Sequence, residues 1–346
     1  MRKEDRTRPG SAPFDTERNI AVPDKGGHGV FHRRSKLRRI VPRRLLLYLS
    51  LFYVVLAWAL NTVLAKQAVA QINPLAFTFL RFLAMTPLAF LLVRVAGQRV
   101  HAYRRDIAAL IVCGACGYGV YQYFWIVGLK NTTPFASALL AATSPILTLA
   151  IVAVLGHERV RSGRWLGAGI ALFGIAIFEG AFSGATSFRI GDVLTLGASV
   201  VFAVYNVVSA RLLDRYTPLE LLAVTMAIGT VMLAPGGIPA LAHTDFAAIT
   251  WDVWWRLIYA TLFPILLTYP VWSYGISTLG AGPASVFSFL VPVLTGILSV
   301  PIVHASFTRY ELTGAAICLA GMIVSYALGR ISLTAIWAQR TLPFER

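Results

Sequence analysis

Charge is scarce in this chain. Asp, Glu, Lys and Arg together make up 13% of its 346 residues, about half the share that a soluble domain uses to cover its surface. A water-soluble globular fold is excluded on that ground. Cysteine is rarer still, at three residues. Cys113 and Cys116 form a C-x-x-C, but both sit inside an apolar run without further ligands, as does Cys318, so packing is expected rather than metal or redox chemistry. Enzyme signatures are missing as well. His157-Glu158 opens like H-E-x-x-H, but the fifth position is Arg161. There is no G-x-S-x-G and no P-loop, and no Asp lies deep in an apolar run as intramembrane proteolysis by two aspartates would need. No catalytic role, no metal and no cofactor is expected. The net charge of +16 does not point to nucleic acid, because no stacking aromatics or folded module accompany it. Residues 1–44 alone carry 13 basic and 5 acidic side chains. A basic tail of this kind, without periodicity, suits anionic lipid headgroups and the fixing of topology.

Apolar residues make up 57% of the chain, gathered into runs of roughly 20 residues, the length that crosses a bilayer core. Ten spans are expected, over 45–66, 74–95, 106–128, 133–155, 164–181, 191–211, 219–240, 254–278, 282–303 and 310–329. The fold class is therefore an all-α integral membrane protein. The first apolar run begins only at Leu45, so no cleavable signal peptide is expected. With the N-terminus inside, 25 Lys and Arg fall on the inner connections and tails and 5 on the outer ones, with Arg81 within a span. That asymmetry predicts cytoplasmic termini.

The second half of the chain echoes the first. A shift of 147 places Trp125 on Trp272, Gly128 on Gly275, Pro145 on Pro292, Gly167 on Gly314 and Gly174 on Gly321 without a gap, and a shift of 145 pairs Asn61 with Asn206 and Lys66 with Arg211. Five spans is an odd number, so the copies enter the membrane in opposite orientations. Expected are a tail (1–44), two inverted five-helix repeats (45–181 and 191–329) and a second tail (330–346). Inverted repeats mark secondary transporters, which hold substrate at the repeat interface and rock one half against the other.

Candidate lining residues are the polar and aromatic ones within spans. Tyr118, Gln122 and Trp125 fall at i, i+4 and i+7 with Tyr121 beside them, and Tyr269 and Trp272 are the repeat partners of Gln122 and Trp125. The same aromatics also suit an interfacial belt. Asn61 and Asn206 serve as substrate ligands or as interhelical glue. Arg81, the one charge well inside a span, costs about 2.5–3.5 kcal/mol to insert; it is either structural, by snorkelling, or a site for an anion. Pro145 and Pro292 interrupt spans 4 and 9 at matching places, the best pointer to a central site and to gating. The glycines of spans 5 and 10 read as close-packing seams.

Taken in order, Trp58 and Asn61, Lys66, Pro74 with Arg81-Phe82, Gly156-His157-Glu158-Arg159, and Gly191-Asp192 followed by Arg211 resemble the EamA-type drug/metabolite transporters over about 45–329. Ala59, His157 and Ala305 depart from the family pattern. The resemblance implies a ten-span exporter of small metabolites, often amino acids or related compounds, in the cell membrane. A flippase for lipids or lipid-linked sugars on the same scaffold, and a non-transporting sensor or scaffold, are the alternatives. The coupling ion and the oligomeric state stay open, a homodimer being one option.

Overall fold

A computed structural model describes residues 43–101, 103–155, 162–180, 189–279 and 287–330. The 156–159 motif and nearly all of both tails lie outside the described residues. Among the described residues there is helix and no strand. We number the helical stretches α1 (Arg43–Gln71), α2 (Pro74–Val95), α3 (Arg104–Lys130), α4 (Pro134–Val154), α5 (Ser162–Phe178), α6 (Ile190–Leu212), α7 (Pro218–Ala242), α8 (251–279), α9 (Leu290–Val303) and α10 (Arg309–Arg330). Seven of these, α1 to α4, α6, α7 and α10, are long and apolar enough to cross a membrane. α5 and α9 are shorter apolar helices, and α8 opens on Asp252 and Arg256. In the seven, 33% to 50% of the most apolar window is buried. The rest presents large apolar side chains such as Leu46, Leu91, Val231 and Leu312 outward, the pattern of a bundle whose solvent is lipid.

The starts are fixed by local chemistry. Asn73, Thr133 and Thr217 cap α2, α4 and α7, each followed by proline at the first helical position, where a missing N–H costs nothing. α1 runs five residues beyond the expected span, to Gln71. The ends of the bundle are called here the near face, where α1 begins, and the far face, where it ends.

Helix pairing follows a two-fold pattern. α2 packs on α7, α5 on α10, α1 on α8 and α9, and α6 on α3 and α4; exchanging the repeats maps this set onto itself. The Thr86 and Thr230 hydroxyls meet at 2.7 Å across α2 and α7, each twelve residues after the proline that opens its helix, Pro74 and Pro218. Gly167 lies against Gly321 and Ser325, and Gly174 against Gly314 and Cys318. Since 314 and 321 are the repeat partners of 167 and 174, each contact reproduces the other. In both pairs the helices run antiparallel, with Phe79 on Gly237 in one and Gly163 on Leu328 in the other. A two-fold axis across the helices gives this arrangement.

Candidate functional site

Two helices carry an extra residue in mid-course. α3 is π-helical over Ala115–Gly119 and α8 over Leu262–Leu267, and 115 and 262 differ by the repeat shift of 147. Such bulges leave backbone carbonyls without their usual partner and turn the following residues about the axis. In α8 the Pro264 carbonyl accepts from Trp58 Nε1 of α1 at 2.7 Å, and Thr268 Oγ1 stands 3.2 Å from the same indole nitrogen. Trp58 also lies against Trp272, with ring centroids 5.0 Å apart. The sequence reading did not place Trp58 in the lining; its only signal was its part in the family motif.

The bulge in α3 also explains why the expected common face of Tyr118, Gln122 and Trp125 divides. Tyr118 lies within the π segment and packs with Phe82 and Tyr205, its hydroxyl 3.5 Å from that of Tyr205. Tyr269 joins them at the edge of the same cluster. Trp125 falls in a different cluster, with Ala65, Phe77 and Ile126, against which Tyr121 packs. Tyr121 packs at a tilt on Phe202, ring centroids 4.8 Å apart, and Phe202 stacks on Tyr205 at 5.2 Å. Aromatic rings from α2, α3 and α6 therefore form a continuous chain from Phe82 to Tyr121.

Three of the candidate side chains hold buried polar atoms without partners. Arg81 is 2% exposed, and its Nε and Nη1 donate to nothing among the described residues. Its guanidinium lies 5.6 Å from the Phe82 ring centre and within electrostatic reach of Tyr121. Gln122 Oε1 and Asn61 Oδ1 are likewise buried and unpaired. Asn206, the repeat partner of Asn61, is engaged, since its Nδ2 donates to Thr148 Oγ1 at 3.2 Å. The two asparagines thus differ, one tying α6 to α4 and the other held free in the interior.

Both prolines stand just after breaks in their helical stretches. α4 breaks at Ala142 and Thr143, and Pro145 stands in the first turn of the half-helix Ser144–Val154. α9 begins after a turn at Phe289, with Pro292 again in its first turn. Each proline starts a helical segment, where its ring fits, and does not kink one from within.

Both faces carry polar clamps that the sequence reading missed. On the near face Arg215 pairs bidentately with Asp106, Tyr216 donates to the same carboxylate, and Glu220 accepts from the His101 backbone N–H. Burial, with Asp106 beside it, raises the Tyr216 phenol above its ordinary pKa, so it remains a donor there. On the far face Lys66 Nζ donates to the carbonyls of Leu129, Lys130 and Thr132 at 2.9, 2.8 and 2.6 Å, and Thr132 donates to Asp192. A depression of about 200 Å³ lies on the far face, lined by Gln71, Asn73, His243 and Asp245 among others; none of the orphan groups lines it.

The EamA-like transporter family model matches residues 45–179 and 189–327. The uncharacterized transporter YyaM of Bacillus subtilis is 27% identical over 293 residues, covering 82% of this chain and 96% of its own. A probable terminal-alkyne amino-acid exporter of Streptantibioticus cattleyicolor is 28% identical over 220 residues, 64% of this chain and 73% of its own. The aromatic amino acid exporter YddG of Ancylobacter novellus is 26% identical over 288 residues, 81% and 96%. A crystal structure 22% identical in sequence shares the fold at a TM-score of 0.60, covering 82% of this chain and 97% of its own.

Proposed function

Since the chain belongs to the EamA-like transporter family, we propose that it is a secondary transporter exporting small metabolites, such as amino acids or related compounds, by alternating access. The observation that carries this reading is the reciprocal packing of the two repeats, with the Thr86–Thr230 contact as its emblem. Two antiparallel copies of one unit have two equally good arrangements, open to one side or to the other, and exchanging them moves a solute across. The names of the two exporters above support an amino-acid-like solute. The chain sits in the cell membrane, the inner one in a bacterium, with the near face cytoplasmic and the basic tail against anionic headgroups.

The experiment is efflux from sealed vesicles carrying the purified protein and preloaded with labelled amino acids, nucleosides or cationic drugs. Efflux of at least one solute faster than from protein-free vesicles is expected. Loss of a fluorescent lipid from the inner leaflet, with no solute efflux, would replace this reading with a flippase.

A further inference from the structure

Asn61, Arg81 and Gln122 lie on three helices that share one apolar cluster. Ala65, Phe77 and Ile126 belong to one apolar cluster contributed by α1, α2 and α3. Asn61, Arg81 and Gln122 each lie four residues from one of these, about one helical turn, and always towards the near face. The three also share a defect. Arg81 holds two unsatisfied donors on a positive charge, while Gln122 and Asn61 each hold an unsatisfied carbonyl oxygen.

Other buried polar atoms lack partners too, but they differ in place or chemistry. Gln67 and Glu179 lie towards the far face, Thr78 and Ser137 offer hydroxyls, and Arg256 already pairs with Asp252. A buried unpaired polar group costs about 1–3 kcal/mol, and more when charged. No acidic residue lies between 41 and 105 to answer Arg81 from its own part of the chain. What would satisfy these groups is a molecule with an anionic acceptor at one end and a cationic donor beside it. A carboxylate accepts from the guanidinium fork. An ammonium donates to the two amide oxygens.

Building on the exporter reading, we propose that Arg81, Gln122 and Asn61 form the recognition site for a zwitterionic solute, Arg81 taking its carboxylate and the two amides its ammonium. The aromatic rings of Phe82, Tyr121 and Trp125 lie on the same helices and suit an apolar side chain on that solute.

The test uses the full-length protein in sealed vesicles, with the best-transported amino acid, its decarboxylated amine and its deaminated acid as three probes. Wild type should carry the amino acid at least about tenfold faster than either analogue, since a polar site rejects a ligand that leaves its groups unpaired. Arg81→Gln should lose that advantage over the amine, and Gln122→Leu the advantage over the acid, at unchanged membrane abundance. Arg81→Lys keeps the charge and should keep part of the preference. Should Arg81→Gln fail to fold, the wild-type preference among the three probes still decides. Equal transport of all three by wild type, or transport of solutes but of no amino acid, overturns this assignment and leaves the exporter reading standing. Transport of nothing by wild type removes both.

Discussion

Lys66 reaches three carbonyl oxygens at the end of α3, whereas Arg81, on the next helix, finds no acceptor for its Nε and Nη1 among the described residues. The difference separates a cation that ties two helices together from one whose Nε and Nη1 make no such tie. Lys66→Met should therefore destabilise the protein by about 2 kcal/mol, the scale of a charge-assisted hydrogen bond. The expected readout is a lower melting temperature in detergent, with the solute preference of the surviving protein unchanged. An altered preference at an unchanged melting temperature would put Lys66 in the solute path instead. Sequence reasoning singled out Arg81 because a charge inside an apolar run is conspicuous. It did not distinguish Asn61 from Asn206, because glue and ligand look alike until the partner, here Thr148, is seen.

At the scale of elements, the glycine seams were legible and the bulges were not. Glycines at seven-residue spacing name a close approach directly, whereas Gly117 and Gly119 in α3 and Pro264 in α8 mark weak points in a helix without saying that a π turn forms there. Only the match of 115 with 262 marks both π segments as built features. The consequence for the reading was a face split in two, since an i, i+4, i+7 argument assumes an unbroken 3.6-residue turn.

The α5–α10 seam gives a sharp contrast in one helix. A Cβ at Gly174 would stand 2.3 Å from the Cys318 nitrogen, whereas at Gly169 it meets nothing within 4 Å. Gly174→Leu should sharply lower the yield of folded protein, because backbone has to move. Gly169→Ala should leave thermal stability unchanged or slightly raised. Equal behaviour of the two variants on size-exclusion chromatography and melting would mean the seam is not as close as described. On the near face, Asp106→Asn takes the carboxylate from the buried Tyr216 hydroxyl and from Arg215, whose side chain is 39% exposed and can turn to water, and should cost about 1–2 kcal/mol, again read in the melting temperature. Arg215→Gln should cost less than Asp106→Asn, since it leaves Tyr216 donating to the carboxylate.

For the whole molecule, the apolar runs and the duplicated pattern announced the architecture, and helix pairing then supplied the axis that sequence could only imply. Orientation is a separate matter and rests on the 25-to-5 distribution of basic residues. It predicts that a single cysteine at Ser162, in a background without Cys113, Cys116 and Cys318, stays unlabelled by an impermeant reagent applied from outside. A cysteine at Asp245 should label readily. The reverse outcome would invert the topology.

The α5–α10 contact bears on how such a molecule can move. These two helices come from different repeats, yet at Gly167, Gly174, Gly314 and Gly321 they touch backbone to backbone. Prising them apart would open a void along the glycine contacts, so rocking of the repeats is expected to turn about this seam as about a fulcrum. The lever arms are then the remaining four helices of each repeat, and displacement grows with distance from the α5–α10 line. The Thr86–Thr230 contact between α2 and α7, which lies on the axis elsewhere in the bundle, becomes the place where that swing is felt.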